Sequence, residues 1–272
     1  MIVIPLRSRL RLTTLLVALM LLAGCASAPT ANGERGHFVT RSVILDGARM
    51  PYQVFVPAGA ARQSGPLPVV LFLHGSGERG RDGVKQTEAG LGPYLRAHAS
   101  DFPALVVLPQ APDEEEWSGR NNALALAALD AAMTEFGADP TRQYLTGLSM
   151  GGYGSWNIAL AEPTRFAAIV PICGGVRAPH ADRPGLRIDA VAEEADPYAA
   201  VAQRLKMLPI HTFHGALDPA VPVDEDRRLQ AAFLAADARD MHYTEYPSGE
   251  HNVWDTVYAD PALWQWLFTR HR

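Results

Sequence analysis

A serine between two glycines, where an apolar run meets an amphipathic segment, constrains this chain more than any other stretch. It lies within Tyr144–Gly152, with Ser149 flanked at two positions by Gly147 and Gly151. In a G-x-S-x-G turn the serine has a cramped backbone, and a side chain at either glycine would collide with the strand or the helix. The stretch therefore predicts a strand, a sharp turn and a helix, with the Ser149 hydroxyl raised above the end of a sheet.

Composition indicates one large globular domain. The 272 residues are 48% hydrophobic and 19% charged, which is typical of an α/β domain rather than of a disordered or fibrous chain. The net charge is -5, and there is no basic stripe with interleaved aromatic residues, so we expect no nucleic acid partner. No spacing of histidine and cysteine suggests zinc. We expect neither a metal nor an organic cofactor.

The first residues are typical of an export signal. Arg7, Arg9 and Arg11 precede the apolar run Leu12–Leu22, which is too short to span a bilayer and ends in Leu-Ala-Gly-Cys at Cys25. A positive region, a short apolar region and small residues at a break point predict a secretory signal peptide over residues 1–24.

The end of this leader also resembles a bacterial lipobox, in which Cys25 is lipidated and becomes the mature N-terminus. An ordinary leader whose cysteine happens to lie there is the alternative. Several acyl chains would anchor the protein stably to a membrane, and Ala26, in place of Asp, resembles outer-membrane sorting. Small and polar residues over 25–36 predict a flexible tether. We therefore expect an exported protein, lipid-anchored to the cell envelope.

Residues 37–272 are predicted to form the folded domain. Phe38–Leu45 and Tyr52–Val56 alternate around Asp46-Gly47, a pattern that indicates an antiparallel hairpin. Beyond it, strand-like and helix-like patterns alternate, which predicts a mostly parallel central sheet with helices on both faces. The predicted strands are Val69–Leu73, Ala104–Leu108, Gln143–Thr146, Ala167–Ile172, Ile210–Phe213 and Met241–Tyr246, and the predicted helices are Asn121–Phe136, Gly151–Ala161, Tyr198–Met207, Asp224–Ala236 and Pro261–Phe268. The fold class is thus α/β with an antiparallel N-terminal edge.

The stretch 177–194 fits no regular element. It is either a cap over the site or a surface excursion, and we favour the surface excursion.

Two further residues complete a candidate catalytic set with Ser149. A serine hydroxyl needs a base to take its proton and a carboxylate to orient that base. In a parallel sheet the working loops follow the carboxyl ends of the strands. Asp218 comes shortly after the predicted strand Ile210–Phe213, and His251 comes shortly after Met241–Tyr246. The chain order Ser, Asp, His is that of α/β hydrolases.

Other acidic and histidine residues are expected to be structural. A predicted helix begins with Asp224, Glu225 and Asp226. Acidic side chains at this end of a helix can cap it and interact favourably with its dipole. His74 and His214 lie at strand ends beside glycines and are interpreted as positioned loop residues. Cys173, in an apolar run, is predicted to be a buried small hydrophobe. The run 113–116 is interpreted as a solvated acidic rim.

An oxyanion hole requires two amides near the serine hydroxyl. The N–H of Met150 is one candidate, because it directly follows the serine. The second is expected in the glycine-rich loop after Val69–Leu73, where Ser76 is favoured and Gly77 is the alternative. An ordinary tight turn is the competing interpretation of this loop. Trp117 and Trp254 are candidates for lining the substrate pocket, although plain packing explains them equally well.

With these residues the chain resembles the α/β hydrolase superfamily, and within it exported bacterial esterases described as predicted peptidases, phospholipase/carboxylesterases or feruloyl-esterase-like proteins. The resemblance implies Ser149 as nucleophile, His251 as base, Asp218 as acid, and oxyanion amides near Ser76 and Met150. The stretch 177–194 looks longer than this family leads us to expect. The segments that carry the resemblance are Leu73–Gly80, Asp139–Gly154, Pro171–Gly175, His214–Asp218 and His251–Asp255.

The expected function is hydrolysis of carboxylic esters through an acyl-enzyme. A small-molecule or polysaccharide-linked ester is the expected substrate. A serine peptidase with the same three residues is the alternative within enzymes, since preference for the scissile bond depends on the pocket. A non-catalytic envelope binding protein with a hydrolase fold is the alternative outside enzymes, and it would predict a broken triad.

Overall fold

The structure is a computed structural model that describes residues 35–60 and 65–272. The predicted signal peptide 1–24, the lipidation site Cys25 and nearly all of the tether 25–36 lie outside the described residues. Within the described ranges, no helix is both long enough and apolar enough to cross a membrane.

An antiparallel hairpin forms the N-terminal edge of the sheet, as predicted. β1 (His37–Leu45) pairs with β2 (Ala48–Val56) through the turn Asp46-Gly47. Both turn residues have positive φ, 49° at Asp46 and 74° at Gly47, which is the backbone of a hairpin turn whose twist matches that of its strands. β2 then pairs antiparallel with β4, so the hairpin extends the main sheet.

Six further strands continue the sheet in parallel. The order across it is β1-β2-β4-β3-β5-β6-β7-β8, and every pair beyond β2 and β4 is parallel. All of the parallel strands therefore end at one edge, where their connecting loops meet. The predicted fold class is confirmed. These strands are β3 (Leu67–Leu73), β4 (Leu105–Pro109), β5 (Ala138–Leu148), β6 (Ala168–Ile172), β7 (Ile210–Gly215) and β8 (Met241–Tyr246).

Helices cover both faces of the sheet. Val69, Leu71 and Leu73 of β3 pack in the cluster that includes α2 to α5, whereas Val70 and Phe72 pack in the cluster that includes α1, α6 and α7. All five side chains are fully buried, which explains the continuous apolar run of this strand. The helices are α1 (Leu91–Ala97), α2 (Gly119–Phe136), α3 (Met150–Ala161), α4 (Pro197–Leu205), α5 (Asp224–Ala235), α6 (Trp254–Ala259) and α7 (Pro261–Phe268).

Two short helices, α1 and α6, have no counterpart in the sequence prediction. α1 begins with Leu91-Gly92-Pro93, and glycine is among the weakest helix formers. A Cβ on Gly92 would lie 2.0 Å from the carbonyl oxygen of Thr87. Tertiary packing of Leu91 and Leu95, both fully buried, therefore decides this helix against its local propensity.

The stretch 177–194 is not a surface excursion along its whole length. Leu186, Ile188 and Val191 are 2%, 0% and 1% exposed and belong to the cluster that contains α3 and α4. The side chain of Asn157 on α3 accepts from the Asp189 amide at 3.0 Å and donates to the Arg187 carbonyl at 2.9 Å. The favoured interpretation is corrected for this half of the stretch, because three apolar side chains and a buried amide hold it against the domain.

Truncation of Leu71 to alanine is expected to lower the free energy of unfolding by about 2–5 kcal/mol, because the sheet and the helices around it cannot close the cavity fully. Denaturant unfolding of the full chain measures this change. Ile44→Ala is the matched control: Ile44 is 68% exposed on the edge hairpin, so its truncation is expected to change stability by less than about 0.5 kcal/mol. Equal effects of the two substitutions would contradict the assignment of β3 to the core.

Candidate active site

Ser149 lies at a strained turn between β5 and α3. Its φ is 53° and its ψ is -118°, a backbone conformation that is uncommon for a residue with a side chain. Its amide donates to the carbonyl oxygen of Ile172 at the end of β6, at 2.8 Å. A Cβ on Gly147 would lie 2.2 Å from the Gly151 carbonyl oxygen, and one on Gly151 would lie 1.9 Å from that of Leu73. The predicted need for glycine on both sides of the serine is confirmed.

The structure joins Ser149, His251 and Asp218 in one chain of hydrogen bonds. His251 Nε2 lies 2.8 Å from Ser149 Oγ, and His251 Nδ1 lies 2.6 Å from Asp218 Oδ2. Asp218 Oδ1 accepts from the amides of Ala220 and Val221 at 2.8 and 2.9 Å. The imidazole side chain is 23% exposed and the carboxylate is fully buried. The His251 part of this hydrogen-bonded set therefore faces solvent, whereas Asp218 is held inside the domain.

The environment of Asp218 keeps its carboxylate ionised. Burial alone would raise the pKa of Asp218, but hydrogen bonds from His214, His251 and the Val221 amide outweigh it and hold that pKa well below its usual range. With an ionised acceptor at Nδ1, His251 carries its proton there and offers Nε2 to the serine hydroxyl as an acceptor. This is the tautomer that a general base requires.

Two backbone amides near Ser149 are available to a ligand. Met150 is the first residue of α3, and Ser76 begins a 3-10 turn, Ser76–Glu78, directly after β3. Among the hydrogen bonds of the described residues, neither amide has a protein acceptor. The loop also lies against the serine, since a Cβ on Gly75 would be 3.6 Å from Ser149 Cβ. Gly77, the alternative donor, lies one residue further along the same turn.

The side chain of His74 holds this loop in place through two hydrogen bonds. Its Nε2 accepts from the Ala111 amide at 2.9 Å, so its proton is on Nδ1, which donates to the Gly75 carbonyl oxygen at 2.6 Å. Burial lowers the pKa of His74 to about 4, and the ring is therefore neutral at pH 7. In a trans peptide the C=O and the following N–H point in opposite directions. The bond to the Gly75 carbonyl thus fixes the direction of the Ser76 N–H.

Trp117 supports the loop and does not line the pocket. Its indole N–H donates to the His74 carbonyl oxygen at 2.9 Å, and the residue is only 1% exposed. Its predicted contact with substrate is corrected: the side chain packs in the core beside Gly154, where a Cβ would lie 2.4 Å from Trp117 Cβ. Trp254, the other predicted pocket residue, packs edge-on against His251 with ring centroids 5.3 Å apart.

A cavity of about 340 Å³ opens over Ser149 and His251. Leu148, Ala220 and Trp254 give it apolar walls, and Glu78 and Arg183 add one group of each charge. Burial raises the pKa of Glu78. Ser76 and Gly77 also line this cavity, whereas the Met150 side chain is buried in the core.

Arg183 is a pocket residue that the sequence did not reveal. It comes from the stretch 177–194 and pairs with Glu116, whose Oε1 and Oε2 lie 2.6 and 2.9 Å from Arg183 Nη2. The Glu116 side chain is 17% exposed, so this end of the acidic run 113–116 is not a solvated rim. The only sequence signal was the excess length of the stretch 177–194, which brings a distant residue to the cavity.

The acidic residues that begin α5 are structural in a different way from that predicted. Asp226 does not cap the helix: it is fully buried and bonds to His214 and Thr212. Glu225 accepts from the amides of Val176 and Arg177 at 2.7 and 3.0 Å. Only Asp224 is exposed at the helix start as expected, where it pairs with a neighbouring arginine.

Cys173 is buried, as predicted, at the end of β6. Burial raises the pKa of its thiol well above the usual range, which leaves it a poor nucleophile. Cys173, His214 and Asp218 each bring one atom able to bind a metal within 4.8 Å of the others. Both His214 nitrogens and both Asp218 oxygens already have hydrogen-bond partners.

Comparison with known proteins identifies the family. The Esterase family matches residues 42–257. The chain belongs to this family. The esterase is 26% identical over 217 residues to the probable feruloyl esterase C of Aspergillus terreus, an alignment that covers 78% of this chain and 67% of that relative. The predicted class of enzyme, a carboxylic ester hydrolase, is confirmed at the level of the family.

Solved structures agree with the fold. The crystal structure of a thermostable esterase superposes with a TM-score of 0.69 at 30% identity, over 86% of this chain and 63% of that one. This esterase therefore spans less than two thirds of the length of that neighbour. A ferulic acid esterase superposes with a TM-score of 0.63 at 17% identity, over 86% of this chain and 97% of that one, and supports the α/β-hydrolase fold alone.

Gly151→Ala is expected to abolish most activity and to destabilise the esterase by several kcal/mol, because the new methyl group would overlap the Leu73 carbonyl and force the turn apart. Gly65→Ala is the matched control, since a Cβ there meets no atom of the described residues within 4 Å. Thermal unfolding and ester hydrolysis measure the two effects. Wild-type stability in Gly151→Ala would contradict the close approach of α3 to β3.

The neutral, buried His74 predicts a loss of stability in mild acid. Its pKa is lowered from 6.5 to about 4 in the folded esterase, so below pH 6.5 only the unfolded chain gains its proton. Stability from this group is present above pH 6.5 and is lost as the pH falls towards 4, by about 3 kcal/mol in all. Unfolding free energies at pH 7 and pH 4.5 should differ less in His74→Asn than in the wild type. His37→Asn, at an exposed histidine, should retain the wild-type difference.

Proposed function

We propose that this esterase cleaves carboxylic esters through an acyl-enzyme formed on Ser149. The observation that carries the proposal is the continuous chain of hydrogen bonds from Ser149 Oγ through both nitrogens of His251 to Asp218, at 2.8 and 2.6 Å. Nucleophile, base and orienting acid need contacts at these distances. An envelope binding protein that had lost catalysis would have no requirement to keep all three side chains in this geometry.

Each residue has a defined step in the proposed mechanism. His251 Nε2 takes the proton from Ser149 Oγ as the oxygen attacks the ester carbonyl, and the imidazolium that forms is stabilised by the Asp218 carboxylate. The tetrahedral intermediate collapses when the carbon–oxygen bond to the alcohol breaks and His251 returns its proton to that alcohol. Water, deprotonated by His251, then attacks the acyl carbon. The bond from this carbon to Ser149 Oγ breaks, and His251 returns the proton to Ser149 as the acid leaves.

The amides of Ser76 and Met150 are the proposed oxyanion donors. Neither has an acceptor among residues 35–60 and 65–272, and the two amides belong to different elements that meet at Ser149. The Met150 amide also stands at the N-terminus of α3, where the helix dipole favours negative charge. Because His74 fixes the Gly75 carbonyl, the Ser76 donor is held in place before substrate binds, as preorganised stabilisation of the oxyanion requires.

We propose that the substrate is an ester of a compact acid, free or attached to a polysaccharide. Support comes from the cavity, whose volume of about 340 Å³ and whose walls of Leu148 and Trp254 suit an apolar or aromatic acyl group. The feruloyl esterase relative is consistent with an aromatic acid. A peptidase with the same residues is the other outcome of the substrate test below.

We propose that the esterase is exported and anchored by lipid on Cys25. The support is the leader itself, with its arginines, its short apolar run and Leu22-Ala23-Gly24-Cys25. Mass spectrometry of the protein expressed in a bacterial host measures the anchor: an acylated N-terminal Cys25 is expected, and Cys25→Ala should release the protein from membranes. An unmodified Cys25 after cleavage of the leader would contradict this proposal.

Ser149→Ala is expected to lower turnover of p-nitrophenyl esters on the order of a millionfold, and Asp218→Asn on the order of ten-thousandfold. A series of esters of increasing acyl length, with the matched amides, measures both the loss and the preference for the scissile bond. Turnover of esters well above that of amides is expected.

Ser155→Ala is the matched control for the loss of a hydroxyl. Ser155 is a buried serine on the same helix that bonds to the Gly151 carbonyl oxygen, and its loss should lower turnover less than tenfold. Full activity in Ser149→Ala would overturn the mechanism. Amide turnover equal to or above that of esters would favour the peptidase.

A further inference from the structure

A second histidine lies directly behind the catalytic carboxylate. His214, at the end of β7, brings Nε2 to 3.1 Å from Asp218 Oδ2, and its Nδ1 lies 2.7 Å from Asp226 Oδ2. The side chains of all three residues have no exposure to solvent. Nothing in the proposed mechanism uses this histidine, yet it contacts the same oxygen of Asp218 that accepts the hydrogen bond from His251 Nδ1.

The surroundings of His214 offer only acceptors. Its Nδ1 faces Asp226, and its Nε2 faces both Asp218 and the Val221 carbonyl oxygen at 3.1 Å. A neutral imidazole has one donor and one acceptor nitrogen, whereas an imidazolium donates from both. With both carboxylates ionised, both nitrogens can be satisfied here only when each carries a proton.

Charge balance favours the same state. Asp218 and Asp226 bring two carboxylates into a closed site, and Thr212 satisfies Asp226 Oδ1 with a neutral hydroxyl. Burial alone would lower the pKa of His214, but hydrogen bonds to Asp218 and Asp226 outweigh it and raise that pKa to about 10. A buried pair of carboxylates without a cation would carry a large desolvation cost.

The other titratable groups around this site do not disfavour a positive charge on His214. The Cys173 thiol approaches from the end of β6, and its raised pKa keeps it neutral. Glu245 on β8 exerts a weaker pull from further away, and Arg227 on α5 already pairs with it. From the loop after β8, only His251 shares the Asp218 oxygen.

We propose that His214 is a positioning residue: as a buried imidazolium it fixes the Asp218 carboxylate and limits how strongly that carboxylate holds a proton on His251. The inference rests on the proposed roles of Ser149, His251 and Asp218. Asp218 is then held at both oxygens, by two amides at Oδ1 and by His251 and the His214 cation at Oδ2. The carboxylate then cannot rotate, and the His214 cation offsets part of the negative charge that acts on His251.

The pH profile is the consequence that separates this role from simple packing. Loss of the His214 cation leaves Asp218 more negative towards His251, which then holds a proton more strongly. The acidic limb of kcat/KM, where His251 must be neutral, should therefore move to higher pH by about one pH unit. A histidine that only filled space would leave this limb in place.

Two substitutions separate charge from position. The amide nitrogen of His214→Asn would stand near Nδ1 and still donate to Asp226, whereas that of His214→Gln would reach the place of Nε2 and still donate to Asp218. Both remove the cation, so both should shift the acidic limb upwards. His214→Asn, which also releases Asp218, should lose about 10- to 100-fold in kcat, comparable to the loss of an outer partner of a metal ligand. His214→Gln should lose less, and KM should change little in either variant.

His211→Asn and His211→Gln are the matched controls on the same strand. His211 lies outside the Asp218 site and bonds to Thr244 on β8, so these variants should retain the wild-type profile. An acidic limb that stays in place in active His214 variants would overturn the proposal. Ser149→Ala tested beside them keeps the two hypotheses apart, because failure of the serine mechanism would appear there and failure of the His214 role would not.

A measurement on the unaltered protein tests the proposal even where the variants fail to fold. Nitrogen-15 NMR of the full chain with labelled histidine reports the proton on each ring nitrogen. We expect one histidine, absent from the spectrum of His214→Gln or assigned through its contact with Val221, to remain protonated at both nitrogens up to pH 8.5. A neutral ring for His214 at pH 7 would overturn the proposal whatever the variants do.

Discussion

The backbones of β3, β5 and α3 meet at Ser149 more closely than side chains would permit, and the geometry of the site depends on this approach. An added Cβ at Gly151 would lie 1.9 Å from the Leu73 carbonyl oxygen. The contact gives α3 its entry angle and gives Ser149 its strained backbone. It also brings the loop that follows Leu73 against the serine, so that two amides from separate elements converge on one hydroxyl. The turn and the loop after β3 are thus held by a single steric constraint.

Hydrogen bonds to buried polar groups hold the rest of the site in place, as close packing holds the turn. Asp218 accepts hydrogen bonds from two amides and from His251, and His214 Nε2 lies 3.1 Å from its Oδ2. A buried carboxylate stays ionised only when such partners offset its desolvation. His74 follows the same principle in the loop after β3, where the Ala111 amide and the Gly75 carbonyl satisfy both ring nitrogens of a neutral imidazole. His74 is therefore neutral because it faces a donor and an acceptor, whereas His214, which faces acceptors, is the histidine that we propose to be charged.

The sequence predicted much of the fold because its signals are local. Apolar runs marked the parallel strands, and the glycines around Ser149 marked the turn. α1 and α6 escaped prediction because they are short, and α1 begins with weak helix formers that tertiary packing overrides. Trp117 was misplaced because an aromatic residue in a strand-end loop gives no sign of which way its ring points. The Glu116 and Arg183 pair joins residues 67 positions apart, a separation at which local pattern carries no information.

The sequence by itself determined the order of the strands and helices, the sharp turn at Ser149, and the presence of an acid and a histidine after the last two strands. These follow from local sterics and from the rule that parallel strands end at one edge. Only the tertiary structure decided which partners surround those side chains. It placed Asp226 behind His214 instead of at the cap of α5, carried Arg183 to the cavity, and buried Trp117 against the loop after β3. Hydrogen-bond partners and burial depend on distances between elements, and a linear pattern contains no such distances.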